Sequence, residues 1–134
     1  MRLFFQPKIK LTCCIFWCLA WMGIAGALLM PLPMAAPPYS DLLAHFLVFC
    51  GMAIGAVSFS HRFGQLAALA FLTGVIGVVL ECAQGFVPYR TFDPIDAAAN
   101  LLGALIGFAV AAIALHFVIR PADPTLRPTR AVRV

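Results

Sequence analysis

Apolar positions in this chain neither alternate with polar ones nor fall on a single helical stripe; they run continuously. Four such stretches stand out, at 11–30, 42–59, 66–83 and 95–119. Each is close to the roughly 20 residues that a helix rising ~1.5 Å per residue needs to cross a ~30 Å hydrocarbon core. Breakers separate them. Pro31, Pro33, Pro37 and Pro38 end the first stretch, because proline lacks the amide that would continue a helix. His61, Arg62 and Gly64 make a tight turn between the second and third, and residues 84–94 separate the third from the fourth. The pattern predicts an all-α, polytopic membrane protein, a bundle of four transmembrane helices.

Composition agrees with that prediction and narrows it. The chain has 134 residues, of which 63% are hydrophobic and 10% charged, against roughly 25% charged in an ordinary soluble domain. Its 14.4 kDa leaves room for one membrane domain, residues 1–120, and a short basic tail, residues 121–134. No separate catalytic domain is expected within these 134 residues. The sequence pI of about 9.0 does not point to nucleic acid, because the basic residues flank apolar spans instead of forming a solvated patch.

Lys and Arg are retained on the cytoplasmic side of membrane spans. Arg2, Lys8 and Lys10 precede span one, Arg62 lies between spans two and three, and Arg120, Arg127, Arg130 and Arg133 follow span four; only Arg90 falls on the other side. Both termini are therefore expected to be cytoplasmic, with the connections at 31–40 and 84–94 facing outward. The acids Asp41, Glu81, Asp93 and Asp96 lie at or near the outer side, leaving Asp123 inside. Span one is longer than the 7–15 residue core of a signal peptide and lacks a small-residue cleavage pattern near 34–36, so it is read as an uncleaved span.

Five cysteines, Cys13, Cys14, Cys18, Cys50 and Cys82, are an odd number placed mostly in apolar stretches. That argues against an extracellular disulfide framework, and with no histidine beside Cys13, Cys14 and Cys18 a zinc site is not expected. They read as small buried hydrophobes. His45 and His116 stand near opposite ends of the membrane, so one haem could not use both. No metal and no cofactor is expected.

An ionisable side chain inside a span costs about 2.5–3.5 kcal/mol on insertion scales, so each one present needs a partner. Helical spacing shows where partners lie. Asp96, Asn100, Gly103 and Gly107 share one stripe of span four; Gly74, Gly77, Glu81 and Gln84 share one of span three; Asp41 and His45 are a turn apart on span two. Gly103 and Gly107 form GxxxG, as do Gly51 and Gly55, and small residues let helix backbones approach closely. Spans three and four are thus expected to pack directly, with Glu81 facing Asn100 or Asp96 and either meeting a donor or holding a neutral carboxyl.

Each of these residues also has a purely structural explanation. Asp41 and Asp96 can cap helix starts, Asn100 can join helices through its amide, and His45 can be a hydrogen-bonded structural residue. In the connection at 84–94, Phe86, Tyr89 and Phe92 suit a membrane interface. Arg90 can pair with a neighbouring carboxylate, or offer its planar fork to an anion such as phosphate.

The run Glu81, Cys82, Ala83, Gln84, Phe86, Pro88, Arg90, Phe92, Asp93, Asp96, Asn100, Gly103 and Gly107, with Asp41, Leu42, Leu43, Ala44, His45 and Phe46 upstream, resembles the motifs of VanZ-like membrane proteins. The likeness covers about residues 41–107. Leu42 and Phe49 depart from it, standing where that family often has a basic residue and a tyrosine. The resemblance implies a small protein of the bacterial inner membrane, in a family associated with resistance to the glycopeptide teicoplanin and without an assigned reaction.

Three functions are then open. In the leading one, Asp41, His45, Glu81, Gln84, Arg90, Asp96 and Asn100 form an outward cluster that binds an anionic envelope lipid, a lipid-linked cell-wall precursor or a glycopeptide, in envelope homeostasis or antibiotic resistance. The second is an accessory subunit of a larger membrane complex, in which the polar stripes only join helices. The third is a membrane-embedded enzyme acting on lipid-linked phosphates through Glu81 or His45. No nucleophile motif or phosphate loop accompanies those two residues, so catalysis is the less favoured reading.

Overall fold

The computed structural model describes residues 7–30, 40–60 and 62–119. The proline-rich connection, His61 of the expected turn, the basic tail and Arg2 lie outside these residues. The described chain forms four helices: α1 (Pro7–Leu29), α2 (Ser40–Gly55), α3 (Phe63–Gln84) and α4 (Pro94–Ile119). A 3-10 turn, Ala56–Ser58, prolongs α2. There is no strand among the described residues, and all four helices are long and apolar enough to cross a membrane.

The helices begin and end slightly outside the apolar stretches. Ser40 and Asp41 belong to α2, Phe63 and Gln84 to α3, and Pro94 to α4. Hydropathy finds the apolar part of a helix, whereas its ends are set by where terminal amides and carbonyls find partners. At α4 the device is explicit. Asp93 Oδ1 accepts the Ile95 N–H at 2.8 Å and the Asp93 carbonyl accepts the Ala97 N–H at 3.1 Å. Pro94 takes the first helical position, where its missing amide costs nothing.

The bundle is built around α4, which packs most extensively on α2 and next on α3. Contact with α2 is backbone to backbone. A Cβ on Gly103 would fall onto the Phe46 carbonyl oxygen, and one on Gly107 onto the Cys50 carbonyl oxygen. This revises the expectation that these two glycines bring spans three and four together. The α3–α4 contact instead uses Gly77, where a Cβ would lie 2.7 Å from Asn100 Cβ and 2.7 Å from Phe49 Cε1, and Gly74 against Leu101. The polar stripe of α4 lies at a three-helix seam, and Gly103 and Gly107 take its α2 side. Gly51 is also not at a helix contact: no described residue lies within 4 Å of where its Cβ would be. Gly55 meets the Trp17 ring, at 3.6 Å.

Exposure is reversed relative to a water-soluble protein. Leu11, Phe16, Met22, Phe71, Leu105 and Phe117 are exposed, while His45, Thr73, Glu81, Gln84 and Asn100 are buried. Lipid solvates the first set without penalty, and the second set must be satisfied within the protein. Thr73 and Ser60 do this locally, donating to the Leu69 and Ala56 carbonyls of their own turns. A small apolar cluster of Ala56, Leu66, Ala111 and Leu115 closes the end of the bundle remote from Asp41. The chain is a multi-pass membrane protein.

Helix α1 is attached at the side, with most of its surface exposed. Trp17 donates through Nε1 to the Met52 carbonyl at 3.0 Å and stacks edge-on against Phe59, and Trp21 meets Phe49. At its C-terminus the last carbonyls of α1 lack intrahelical donors. Three side chains from elsewhere supply them: Gln84 to Leu28 at 3.0 Å, Tyr89 to Leu29 at 3.0 Å, and Arg90 to Met30 at 3.4 Å.

Candidate functional site

The polar stripes of α2, α3 and α4 meet at the end where α2 and α4 begin and α3 finishes. Asn100, wholly buried, is the joint. Its Nδ2 donates to the Gly77 carbonyl of α3 at 3.2 Å, which leaves Oδ1 as the acceptor for His45 Nδ1 of α2 at 2.9 Å. That pairing places the His45 proton on Nδ1, and a neutral ring then carries its lone pair on Nε2. Nε2 is buried without a hydrogen-bond partner among the described residues and lies 3.8 Å from Asp41 Oδ1.

Glu81, also buried, has two different oxygens. Oε1 accepts the backbone N–H of Asp93 at 3.0 Å, tying the α3–α4 connection down onto α3. Oε2 has no hydrogen-bond partner among the described residues and lies 3.9 Å from His45 Nδ1. It is therefore α2 and the connection, more than Asn100 itself, that Glu81 faces.

Above this buried layer lies a half-exposed one. The connection is held compact by successive turns, with Phe86, Val87 and Arg90 N–H groups donating to Ala83, Gln84 and Val87 carbonyls at 3.1, 3.0 and 3.0 Å. It projects Arg90 so that Nη1 lies 3.5 Å from Asp41 Oδ2 while Nη2 caps α1. The Arg90 side chain is 14% exposed and that of Asp41 45%. Asp96 completes the layer: one ligand atom from each of Asp41, His45 and Asp96 lies within 4.8 Å of the others.

Of the residues singled out by spacing, Asp41, His45, Glu81, Arg90, Asp96 and Asn100 thus converge on one end of the bundle. Gln84 does not join them. It is buried against α1 and donates to the Leu28 carbonyl, since one turn beyond Glu81 the stripe of α3 has rotated toward α1. Asp93 and Tyr89 are structural members that spacing did not identify. For Asp93 the signal was present in the following Pro94, which marks a capped helix start. For Tyr89 there was none, because its partner lies on a distant helix.

A groove of about 790 Å³ adjoins the cluster, running between the first turns of α2 and α4 and lined by Leu42, Leu43, Phe46, Ala98 and Leu102. Ser40 and Ile95 also line it, and with Leu42 they are chain neighbours of Asp41 and Asp96, so the polar layer and an apolar recess lie at the same end of the bundle.

The sequence matches a family model described as VanZ/LLP1 over residues 27–115, well over half the chain. No curated protein gives a significant match, and no solved structure does.

Proposed function

The chain belongs to the VanZ/LLP1 family, and from that premise and the geometry of its polar end we propose that it binds the headgroup of an anionic amphiphile at the outer face of the bacterial inner membrane. An envelope lipid, a lipid-linked cell-wall precursor or a glycopeptide has the required chemistry. The observation that carries this reading is that Arg90, Asp41 and Asp96 gather at the same end of the bundle as the apolar groove between the first turns of α2 and α4. A ligand with a charged head and an acyl or prenyl tail meets both surfaces at once. The groove is mostly apolar with few polar groups at one edge, the usual make-up of a small-molecule site.

Arg90 is the group that would meet the anion. It is pre-positioned by the Met30 carbonyl and Asp41, so little side-chain entropy remains to be lost on binding. Phe86, 89% exposed, with Tyr89 and Phe92, would hold the connection at the headgroup level. In this reading Glu81, His45 and Asn100 fix the site from beneath.

The test is binding of a polyprenyl phosphate to the purified protein in nanodiscs of zwitterionic lipid, alongside teicoplanin susceptibility of cells carrying the same variants. Arg90→Ala is expected to weaken phosphate binding by about tenfold or more, the scale of losing one charge-assisted contact. If Arg90→Ala and Glu81→Gln both leave binding and susceptibility unchanged at normal expression, the reading fails.

A further inference from the structure

The polar end holds four carboxyl groups, those of Asp41, Glu81, Asp93 and Asp96, against one guanidinium and one imidazole. Taken alone, that balance repels an anion. Two of the carboxylates and the imidazole, however, bring one ligand atom each within 4.8 Å of the others. We propose that Asp41, His45 and Asp96 bind a divalent metal cation, and that this ion is what lets the site accept a phosphate-bearing headgroup.

The placement of His45 carries the proposal. Its ring is 1% exposed, and its Nδ1 is engaged by Asn100 at 2.9 Å. Metal-binding histidines are commonly held in this way, with the second ring nitrogen donating to a fixed acceptor, so that tautomer and orientation are set before the ion arrives. The remaining nitrogen, Nε2, is buried and without a hydrogen-bond partner among the described residues. A buried polar atom without a partner is costly, and here it is aimed at Asp41 Oδ1, 3.8 Å away. Asp41 divides its oxygens: Oδ2 faces Arg90 at 3.5 Å, and Oδ1 faces the imidazole.

The distances are compatible with an ion. Two donors each ~2.1 Å from a common first-row metal stand ~3.0–3.4 Å apart in cis-octahedral or tetrahedral geometry, and the three here lie within 4.8 Å of one another. The closure required is up to ~1.4–1.8 Å for the widest pair, and the half-exposed Asp41 side chain is the one with freedom to make it. One nitrogen and two oxygens suit Mn2+, Fe2+ or Zn2+, whereas Ca2+ takes six to eight oxygens. Three protein donors leave coordination positions open, and a phosphate oxygen next to Arg90 would fill one. The metal site stands by itself; the bridging role rests on the proposed headgroup binding.

Mn2+ titration of the full chain in zwitterionic nanodiscs, followed by loss of the free-ion electron paramagnetic resonance signal and checked by Zn2+ competition, tests the ion alone. One Mn2+ per chain is expected, weakened about tenfold or more in Asp96→Asn and in His45→Gln. Asp41→Asn, at a half-exposed position, serves if His45→Gln fails to fold. Arg90→Ala is expected to retain Mn2+ while losing polyprenyl phosphate, which separates the two readings. Absence of saturable Mn2+ or Zn2+ binding, or binding indifferent to all three substitutions, overturns the metal site. Phosphate binding by the wild type that persists in excess chelator overturns the bridging role and leaves the headgroup reading intact.

Discussion

His45 on α2 and Asn100 on α4 form a buried hydrogen bond, Nδ1 to Oδ1 at 2.9 Å, and the same asparagine donates to the Gly77 carbonyl of α3 at 3.2 Å. One amide therefore joins three helices and sets the tautomer of the histidine. Structure and candidate chemistry share this bond.

Asn100→Ala strands the His45 Nδ1–H and removes the donor to Gly77. In a soluble core a stranded group costs about 1–3 kcal/mol, but in membranes the unfolded state also finds partners, and measured couplings average about 0.6 kcal/mol with a maximum near 1.7. The lower scale should apply. A double-mutant cycle of His45→Ala and Asn100→Ala, read by denaturation in mixed micelles, is expected to give a coupling of about 0.6–1.7 kcal/mol. A coupling indistinguishable from zero would show that the bond does not hold the helices together.

Glu81→Gln keeps an acceptor for the Asp93 N–H, whereas Glu81→Ala leaves that amide without its partner. Hydrogen exchange of the segment 85–93 should be close to wild type in the first variant and accelerated in the second. The difference expected is on the order of 1 kcal/mol in local opening. Equal exchange in both would mean that Glu81 does not anchor the connection.

Gly103→Leu places a side chain where the Phe46 carbonyl already stands, so α2 and α4 must separate. Because their contact is the most extensive in the bundle, the variant should elute heterogeneously in detergent and melt well below wild type, a loss larger than the ~1–3 kcal/mol of ordinary overpacking. Gly51→Leu, pointing into open space, should behave as wild type. Equal behaviour of the two variants would remove the close-approach explanation.

Gly64 lies in the first turn of α3, and Thr91 in the connection that follows its other end. In a variant without native cysteines, an impermeant thiol reagent on intact cells should label Thr91→Cys and should label Gly64→Cys only after permeabilisation, as the distribution of Lys and Arg requires. The reverse pattern would put the polar end in the cytoplasm and move its ligand there.

The four helices were legible in the sequence because continuous apolar runs of about 20 residues have few folds available to them. So was the convergence of Asp41, His45, Glu81, Asp96 and Asn100, since each lies on a helical stripe with small or polar neighbours and cannot face lipid cheaply. The role of Gln84 was not legible. Its spacing from Glu81 places it on the same stripe, yet its partner is the end of α1, and no periodicity within one helix tells which neighbour covers it.

The sequence by itself determined the elements, their number and the depth of each polar group, because hydropathy and helical period act along one chain segment at a time. Only the tertiary structure decided that Gly103 and Gly107 meet α2, that Asn100 joins three helices, and that His45 Nε2 is left facing Asp41. Those choices are contacts between segments. In lipid, where apolar burial does not choose helix partners, they depend on which backbones come close enough for small residues and on which buried donors and acceptors can all be satisfied together.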